Sequence, residues 1–382
     1  MDVSTAQVVG FRLASHGLAR GGFAAPESAL ATWTVQDSPP GAAAAALANR
    51  LSVAGEELAP GWVETAIAER RAALLYNART ATALLPVSEA AVYATAQLPE
   101  DDADFKALVR TSVPEQESGY AEPVALAVDA ISDALDGRAL SRDDLHEELR
   151  QRLPDALLPW CEGCRSHHAK RGMLVMASLR GRLCISGRAG RQPEFSRTDQ
   201  WAGWSPPAAP DARRQLLERY LHAYGPSKSG EFAEWAGLSK PLAKRIWVAA
   251  ADAGMLLDVT VDGAGAGAIL TADADQLADP PPAEGVLLLG PGDPLLVGRD
   301  RERLVADAAV RKRLWSALPT TGLVLADGAP AATWKAKKSG KRLDVTVAPI
   351  GSLSRAVQRA IESEAERLAA LRGCASAAVT IG

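Results

Sequence analysis

The chain has 382 residues, 47% hydrophobic and 23% charged, which excludes wholesale disorder and suits two to three domains with packed cores. Its net charge of −4 hides an asymmetry: residues 1–149 balance to −12, the remainder to +8, and 150–200 hold ten basic against four acidic side chains. A uniform polycation is excluded; what remains is one basic face on an acidic body, or simply a solvated basic surface.

In chain order, residues 5–18 read as a short amphipathic helix with Val8, Val9, Phe11, Leu13 and Leu18 as its apolar positions. A second helix is expected over 26–36, with Pro26 at its start, and a third over 41–51 after Pro39-Pro40. Residues 73–86 are apolar and allow a small sheet, whereas 97–122 are acidic and read as a linker or solvated face. Residues 125–135 form a helix ended by Gly137, and Ser141 with Asp144 resembles a capping box opening the next one. A longer helix over 168–181 and two β-rich runs around 184–198 follow, which is the order of a winged helix.

The same order recurs over 211–263. Gly237 separates two helices there, and Ser239 with Pro241 opens the third, as in a helix-turn-helix. From 284 the pattern is strand-rich, with turns at Asp327-Gly328 and Ser339-Gly340, and 352–372 form an amphipathic helix capped by Ser352 or Ser354 and stopped by Gly373. The expected fold is mainly α with β, an α+β chain of tandem winged helix-turn-helix units with a C-terminal β-barrel or sheet and a closing helix. The units are expected at 1–96 (winged-helix-like), 122–200 (winged helix with a CxxC insertion), 211–265 (third winged helix) and 284–382 (β-rich).

Basic side chains fall where such units meet phosphate. Arg180, Arg182, Arg188, Arg191 and Arg197 follow the second unit's helix end and wing, and Lys240, Lys244 and Arg245 lie near the start of the third unit's recognition helix. Lys335, Lys337, Lys338, Lys341 and Arg342 cluster on a C-terminal hairpin, where edge-strand protection is the competing explanation. Trp33, Trp62, Trp235 and Trp247 sit among apolar neighbours and read as core. Double-stranded DNA is the expected partner. No run crosses a bilayer, no phosphate-binding glycine loop marks a nucleotide cofactor, and no membrane partner is expected.

Four cysteines, Cys161, Cys164, Cys184 and Cys374, are too few for a disulfide scaffold. Residues 1–18 do not read as a secretory signal, so a cytoplasmic, nucleoid-associated location is expected. Cys161-x-x-Cys164 with His167 three residues on supplies three ligands for a structural zinc; a tight turn of reduced thiols is the alternative.

Several segments carry a family resemblance over almost the whole length: VQDSPPGAAAAAL (35–47), RTATALLP (79–86), the CEGC…HH segment, GRLCISGRAGRQPEFSRTDQW, YGPSKSGEFAEWAGLSKPLAKR and LLLGPGDPLLVGRDR. In these the chain resembles the bacterial winged-helix DNA glycosylases of the azinomycin-resistance and interstrand-crosslink type. The resemblance implies hydrolysis of the N-glycosidic bond of bulky or alkylated purines, in DNA repair or self-resistance to a genotoxin, with no cofactor for the chemistry. Its Gln-x-Gln or Gln-x-Asp motif falls on Gln36-Asp37-Ser38, the candidate catalytic residues, with Ser38 in the second polar position and Asp37 displaced by one. Read from the residues alone, these three also fit the polar end of a helix before Pro39. The family's Arg-Gly-Thr-x-His falls on Arg79, a candidate DNA contact, with Ala83 in the histidine position. A non-catalytic winged-helix DNA-binding or regulatory protein is the alternative function.

Overall fold

The computed structural model describes residues 1–19, 22–32, 34–37, 39, 41–51, 57–79, 81–109, 111–113, 119–190, 192–201, 203–316 and 320–382. The chain opens with β1 (Asp2–Val3), α1 (Thr5–Ser15), α2 (Pro26–Thr32), β2 (Val35–Gln36), α3 (Ala42–Ala48) and α4 (Trp62–Ala68). Next come β3 (Ala72–Tyr76), β4 (Thr82–Pro86), α5 (Val87–Ala96), α6 (Asp102–Val109), α7 (Ala121–Ala134), β5 (Leu140–Ser141) and α8 (Arg142–Arg152). A small hairpin, β6 (Trp160–Cys161) and β7 (Ser166–His167), precedes α9 (Arg171–Leu179), β8 (Cys184–Ala189), β9 (Gln192–Ser196) and α10 (Thr198–Trp201). Then follow α11 (Ala209–Tyr224), α12 (Ser229–Ala236), α13 (Lys240–Asp252), β10 (Leu256–Val261), β11 (Gly265–Leu270) and α14 (Ala274–Ala278). The last stretch runs β12 (Val286–Leu289), α15 (Arg301–Leu304), α16 (Ala308–Leu314), β13 (Gly322–Ala326), β14 (Ala329–Ser339), β15 (Arg342–Pro349), α17 (Arg355–Leu371) and β16 (Ser376–Ile381). This is an α+β chain, as expected.

The described chain divides into two compact units. One comprises 1–63, 219–228 and 254–382, the other 64–218 and 229–253. In the first, Ser4 and Gln7 form a capping box at the start of α1. Val8 and Phe11 of that helix pack on Val259, Ile269 and Leu277. β12–β16 make a five-stranded sheet with edges β12 and β16, so of the two expected forms the sheet is found and not the barrel. β15 and β16 run parallel, joined by α17, which Ser354 caps. Trp334, Val345 and Val347 of the sheet bury against Ile361 and Leu368 of α17. Gly322 stands opposite Trp334, and a Cβ there would lie 2.3 Å from the Leu289 carbonyl, so only glycine fits beneath the indole.

Two bidentate ion pairs pin this unit. Arg50 meets Asp293 at 2.8 and 2.6 Å, both side chains fully shielded from solvent. Arg12 meets Asp300 at 2.8 Å through both nitrogens and also donates to the carbonyls of Tyr224 and Gly225. The GPGDPLLVGRDR stretch therefore supplies the carboxylates that satisfy two buried guanidiniums. Burial raises the Asp300 carboxyl, but Arg12 and then Arg303 outweigh it and hold it below the usual carboxylate range.

The second unit is built on strands in the order β4-β3-β8-β9-β5. All of β3 is buried, and Leu74 pairs with Ile185 to join the β3–β4 hairpin to the β8–β9 wing. Gly172 to Leu179 of α9 are all buried, so the helix that precedes the wing is a core element. The acidic 97–122 segment is not merely a linker or solvated face. It contains α6, and its Asp104, 5% exposed, accepts from the Glu100 N–H and from the Ser239 hydroxyl that caps α13. Burying that carboxylate is tolerable because N–H, hydroxyl and, at 3.6 Å, Arg245 donors converge on it.

Candidate glycosylase motif, cationic surfaces and cysteine–histidine knuckle

α2 ends at Thr32, short of the expected Gln36, and Val35–Gln36 is a strand. The Gln36 motif therefore does not end a helix. Val35 is fully buried, and the next side chain, Gln36, is half-buried, as strand alternation requires. Among the described residues nothing bonds the Gln36 amide, whereas Asp37 is engaged. One Asp37 oxygen accepts from the Gly41 N–H at 2.8 Å and the Ala43 N–H at 3.2 Å. It closes the Pro-rich turn onto the start of α3, a use of aspartate that needs no chemistry. Gly41 itself takes φ +86, the left-handed region. Ser38 lies outside the described residues.

Arg79 sits in the turn between β3 and β4. Asn77 Oδ1 accepts from the N–H groups of Arg79 and Ala81, and Gln97 Oε1 accepts from Ala78 N–H at 2.9 Å. Gly237, at φ +71 in the turn before α13, meets this tip so closely that a Cβ would lie 2.9 Å from Ala78 and 3.0 Å from Arg79 Cγ. Arg79 is thus brought against the helix-turn-helix. Ala83 is 1% exposed in β4 and pairs with Leu75, so the position that holds histidine in the resembled family is occupied here by a buried methyl.

The cationic candidates separate by environment. Arg182 pairs with Asp199, and Arg197 pairs with Asp199 at 2.7 Å and Asp136 at 2.9 Å. Arg180 is half-buried, and burial lowers its pKa. Arg245 meets Glu100 at 2.7 Å. Arg188 near the wing tip, and Lys240 and Lys244 one turn apart on α13, are exposed and meet no carboxylate among the described residues. Arg191 lies outside the described residues. In the first unit, Lys335 and Lys337 occupy one exposed face of the β14–β15 hairpin, while Lys338 Nζ donates to the Arg372 carbonyl at the end of α17. Trp235 is buried, Trp62 and Trp247 are half-buried, and Trp33 lies outside the described residues.

The metal candidate differs from its expected form. Cys161 and Cys164 converge with His168, not His167, their ligand atoms all within 4.8 Å of one another. His167 turns its Nδ1 to the Leu158 carbonyl at 2.9 Å, and its ring meets Trp160 edge-on. Consecutive residues leaving β7 point apart, so only one of the two histidines can face the sulfurs. Asn77, Gln97 and Asp104, buried polar groups that shape the Arg79 turn and α13, were not singled out from the sequence. Asn77 at the head of the Asn-Ala-Arg turn carried a readable signal, because asparagine caps such turns through its side chain.

Comparison with known proteins agrees with this architecture. A family model described as DNA glycosylase AlkZ-like matches residues 30–371. The interstrand DNA cross-link repair glycosylase of Streptomyces sahachiroi is 28% identical over 263 residues, 66% of this chain and 67% of that protein. The solved structure of Streptomyces sahachiroi DNA glycosylase AlkZ superposes with a TM-score of 0.75 at 23% identity, covering all of both chains, a likeness of fold.

Proposed function

The chain belongs to the AlkZ-like family of DNA glycosylases, and from that premise we propose that it excises bulky or N7-alkylated purines, cross-linked ones included, from double-stranded DNA. Gln36 is the residue we place at the chemistry. An N7-alkylated purine is cationic, so its C1′–N9 bond breaks with the electron pair neutralising the departing base. The sugar becomes oxocarbenium-like, water adds to C1′, and the water's proton passes to solvent. Neither a nucleophilic side chain nor a strong base is required; positioning and fixed dipoles supply the effect. The Gln36 amide orients the water, and Asp37 acts as a positioning residue by fixing the main chain that carries it. The chemistry uses no cofactor. Arg188, Lys240, Lys244, Lys335 and Lys337 contact phosphates, and Arg79 positions the strand beside the helix-turn-helix. The protein acts at cytoplasmic, nucleoid-associated DNA.

The observation that carries this reading is the half-buried Gln36 amide, unbonded among the described residues, standing at the family's motif position beside a capping aspartate. Ser38 and Ala83 favour a second reading, a DNA-binding protein that has lost the reaction. A duplex carrying N7-alkylguanine, scored for abasic sites, separates the two. Excision by the wild type, raised by Ser38→Gln, supports the enzyme. Tight binding with no excision by either supports the binding protein.

A further inference from the structure

The β6–β7 knuckle lies apart from the Gln36 motif in sequence, and what it holds is independent of the glycosylase reading. We propose that this knuckle is a structural zinc site in which Cys161 Sγ, Cys164 Sγ and His168 Nε2 bind Zn²⁺ and a solvent molecule takes the fourth position. Three observations point to a ligand. The three donor atoms already lie within 4.8 Å of one another, and a tetrahedral zinc would draw them to about 3.5–3.8 Å, a small side-chain adjustment. His168 is 9% exposed, and its Nε2 is buried with no hydrogen bond among the described residues. Its other nitrogen, Nδ1, donates to the Ala169 carbonyl at 2.8 Å. That fixes the tautomer in which Nε2 carries a lone pair, the outer-sphere arrangement a metal-bound histidine uses. Without a metal, that lone pair faces the weak thiol donors of the two cysteines, and a cation satisfies it better.

The donor set fixes the charge balance. Binding releases two thiol protons to solvent, and two thiolates neutralise the dication. Cys164 is exposed, so the open coordination position faces water. The surroundings assign a structural role. His146 of α8 stacks flat on His168 at 4.4 Å, and Arg150 of the same helix donates to the His167 carbonyl. Asp143 at the head of α8 is tied to Gln192 of the wing strand β9 through both its side chain and its N–H. Zinc at the knuckle would therefore brace α8, and through α8 the wing.

The test uses the full-length protein. Metal analysis of the purified protein should find close to one zinc per chain, and a strong chelator should lower the thermal midpoint, with zinc restoring it. Cobalt(II) added to the apoprotein should give the visible bands of a tetrahedral site together with a thiolate-to-cobalt charge-transfer band. His168→Ala should weaken metal binding by more than about 100-fold, beyond the loss expected from an outer-sphere change, whereas His167→Ala should retain it. Circular dichroism shows whether each variant is folded. Folded wild-type protein that contains no metal and takes up neither zinc nor cobalt would overturn the proposal, as would equal loss in His167→Ala and His168→Ala.

Discussion

Arg50 and Asp293 in the first unit are both fully shielded from solvent, whereas Arg182 and Asp199 in the second remain 40% and 20% exposed. The same chemical pair does different things in the two places. In the first, the carboxylate supplies the opposite charge to a desolvated guanidinium that also donates to the Ala46 carbonyl, and the pair welds the GPGDP stretch to the end of α3. In the second, water already solvates much of both groups, so the pairing adds little stability. It engages Arg182 and Arg197, whereas among the candidate DNA contacts of this unit Arg188, Lys240 and Lys244 are exposed and face no carboxylate among the described residues.

The sharpest way to break that contrast is to remove one partner from each pair. Asp293→Ala should cost about 3–5 kcal/mol in urea denaturation, because it leaves a buried guanidinium uncompensated. Arg182→Ala should stay within about 1 kcal/mol. Similar losses for the two would show that burial does not decide the outcome.

Acid should act on the first unit through a buried histidine. His16 is fully buried, and burial, followed by the nearby Arg50 charge, lowers its pKa well below the usual value. A histidine neutral in the folded state and protonated in the unfolded one stabilises above about pH 6.5 and loses that contribution as pH falls toward the folded pKa. Asp300, whose pKa is lowered, adds a second loss below about pH 4. The thermal midpoint should therefore drop between pH 7 and 5, and His16→Gln should flatten that part of the curve. An undiminished slope in His16→Gln would contradict this.

The smallest expected effects concern DNA. Replacing Arg188, Lys240 or Lys244 with Gln should each reduce the slope of log affinity against log salt by about 1. Arg197→Gln should leave the slope almost unchanged, since that side chain is held by Asp199 and Asp136. A larger slope change from Arg197 than from Lys244 would reverse the assignment of exposed and engaged cations.

Local signals were legible in the sequence where their physics is local. Ser239, Pro241 and Gly237 announced α13 and the turn before it, and the structure has Ser239 Oγ accepting from Leu242 N–H as a cap does. Ser141 capped α8 as its spacing with Asp144 suggested. What could not be read depends on partners far away in the chain. Asp293 and Asp300 find Arg50 and Arg12 across 243 and 288 residues, and no periodicity announces such a pairing. The acidic 97–122 stretch looked solvated because charge usually is, yet Asp104 is buried by the cap of a helix 135 residues away. Spacing after CxxC pointed to His167, and the direction in which the chain leaves β7 gave the place to His168.

Under the proposed function, two neighbouring residues of the motif divide the work: Gln36 serves the reaction, and Asp37, which accepts from the Gly41 and Ala43 N–H groups, serves the fold. Single-turnover excision of N7-alkylguanine from a duplex, measured together with the thermal midpoint, tests this division most directly. Gln36→Ala should lose about 2.7–4 kcal/mol of transition-state stabilisation, a 10²–10³-fold slower reaction, with an unchanged midpoint and nearly unchanged DNA affinity. Asp37→Ala should cost the about 1 kcal/mol of a lost helix cap, seen as a lower midpoint, while retaining most of the rate at a temperature where the protein stays folded. A Gln36→Ala protein that excises at the wild-type rate would contradict the account.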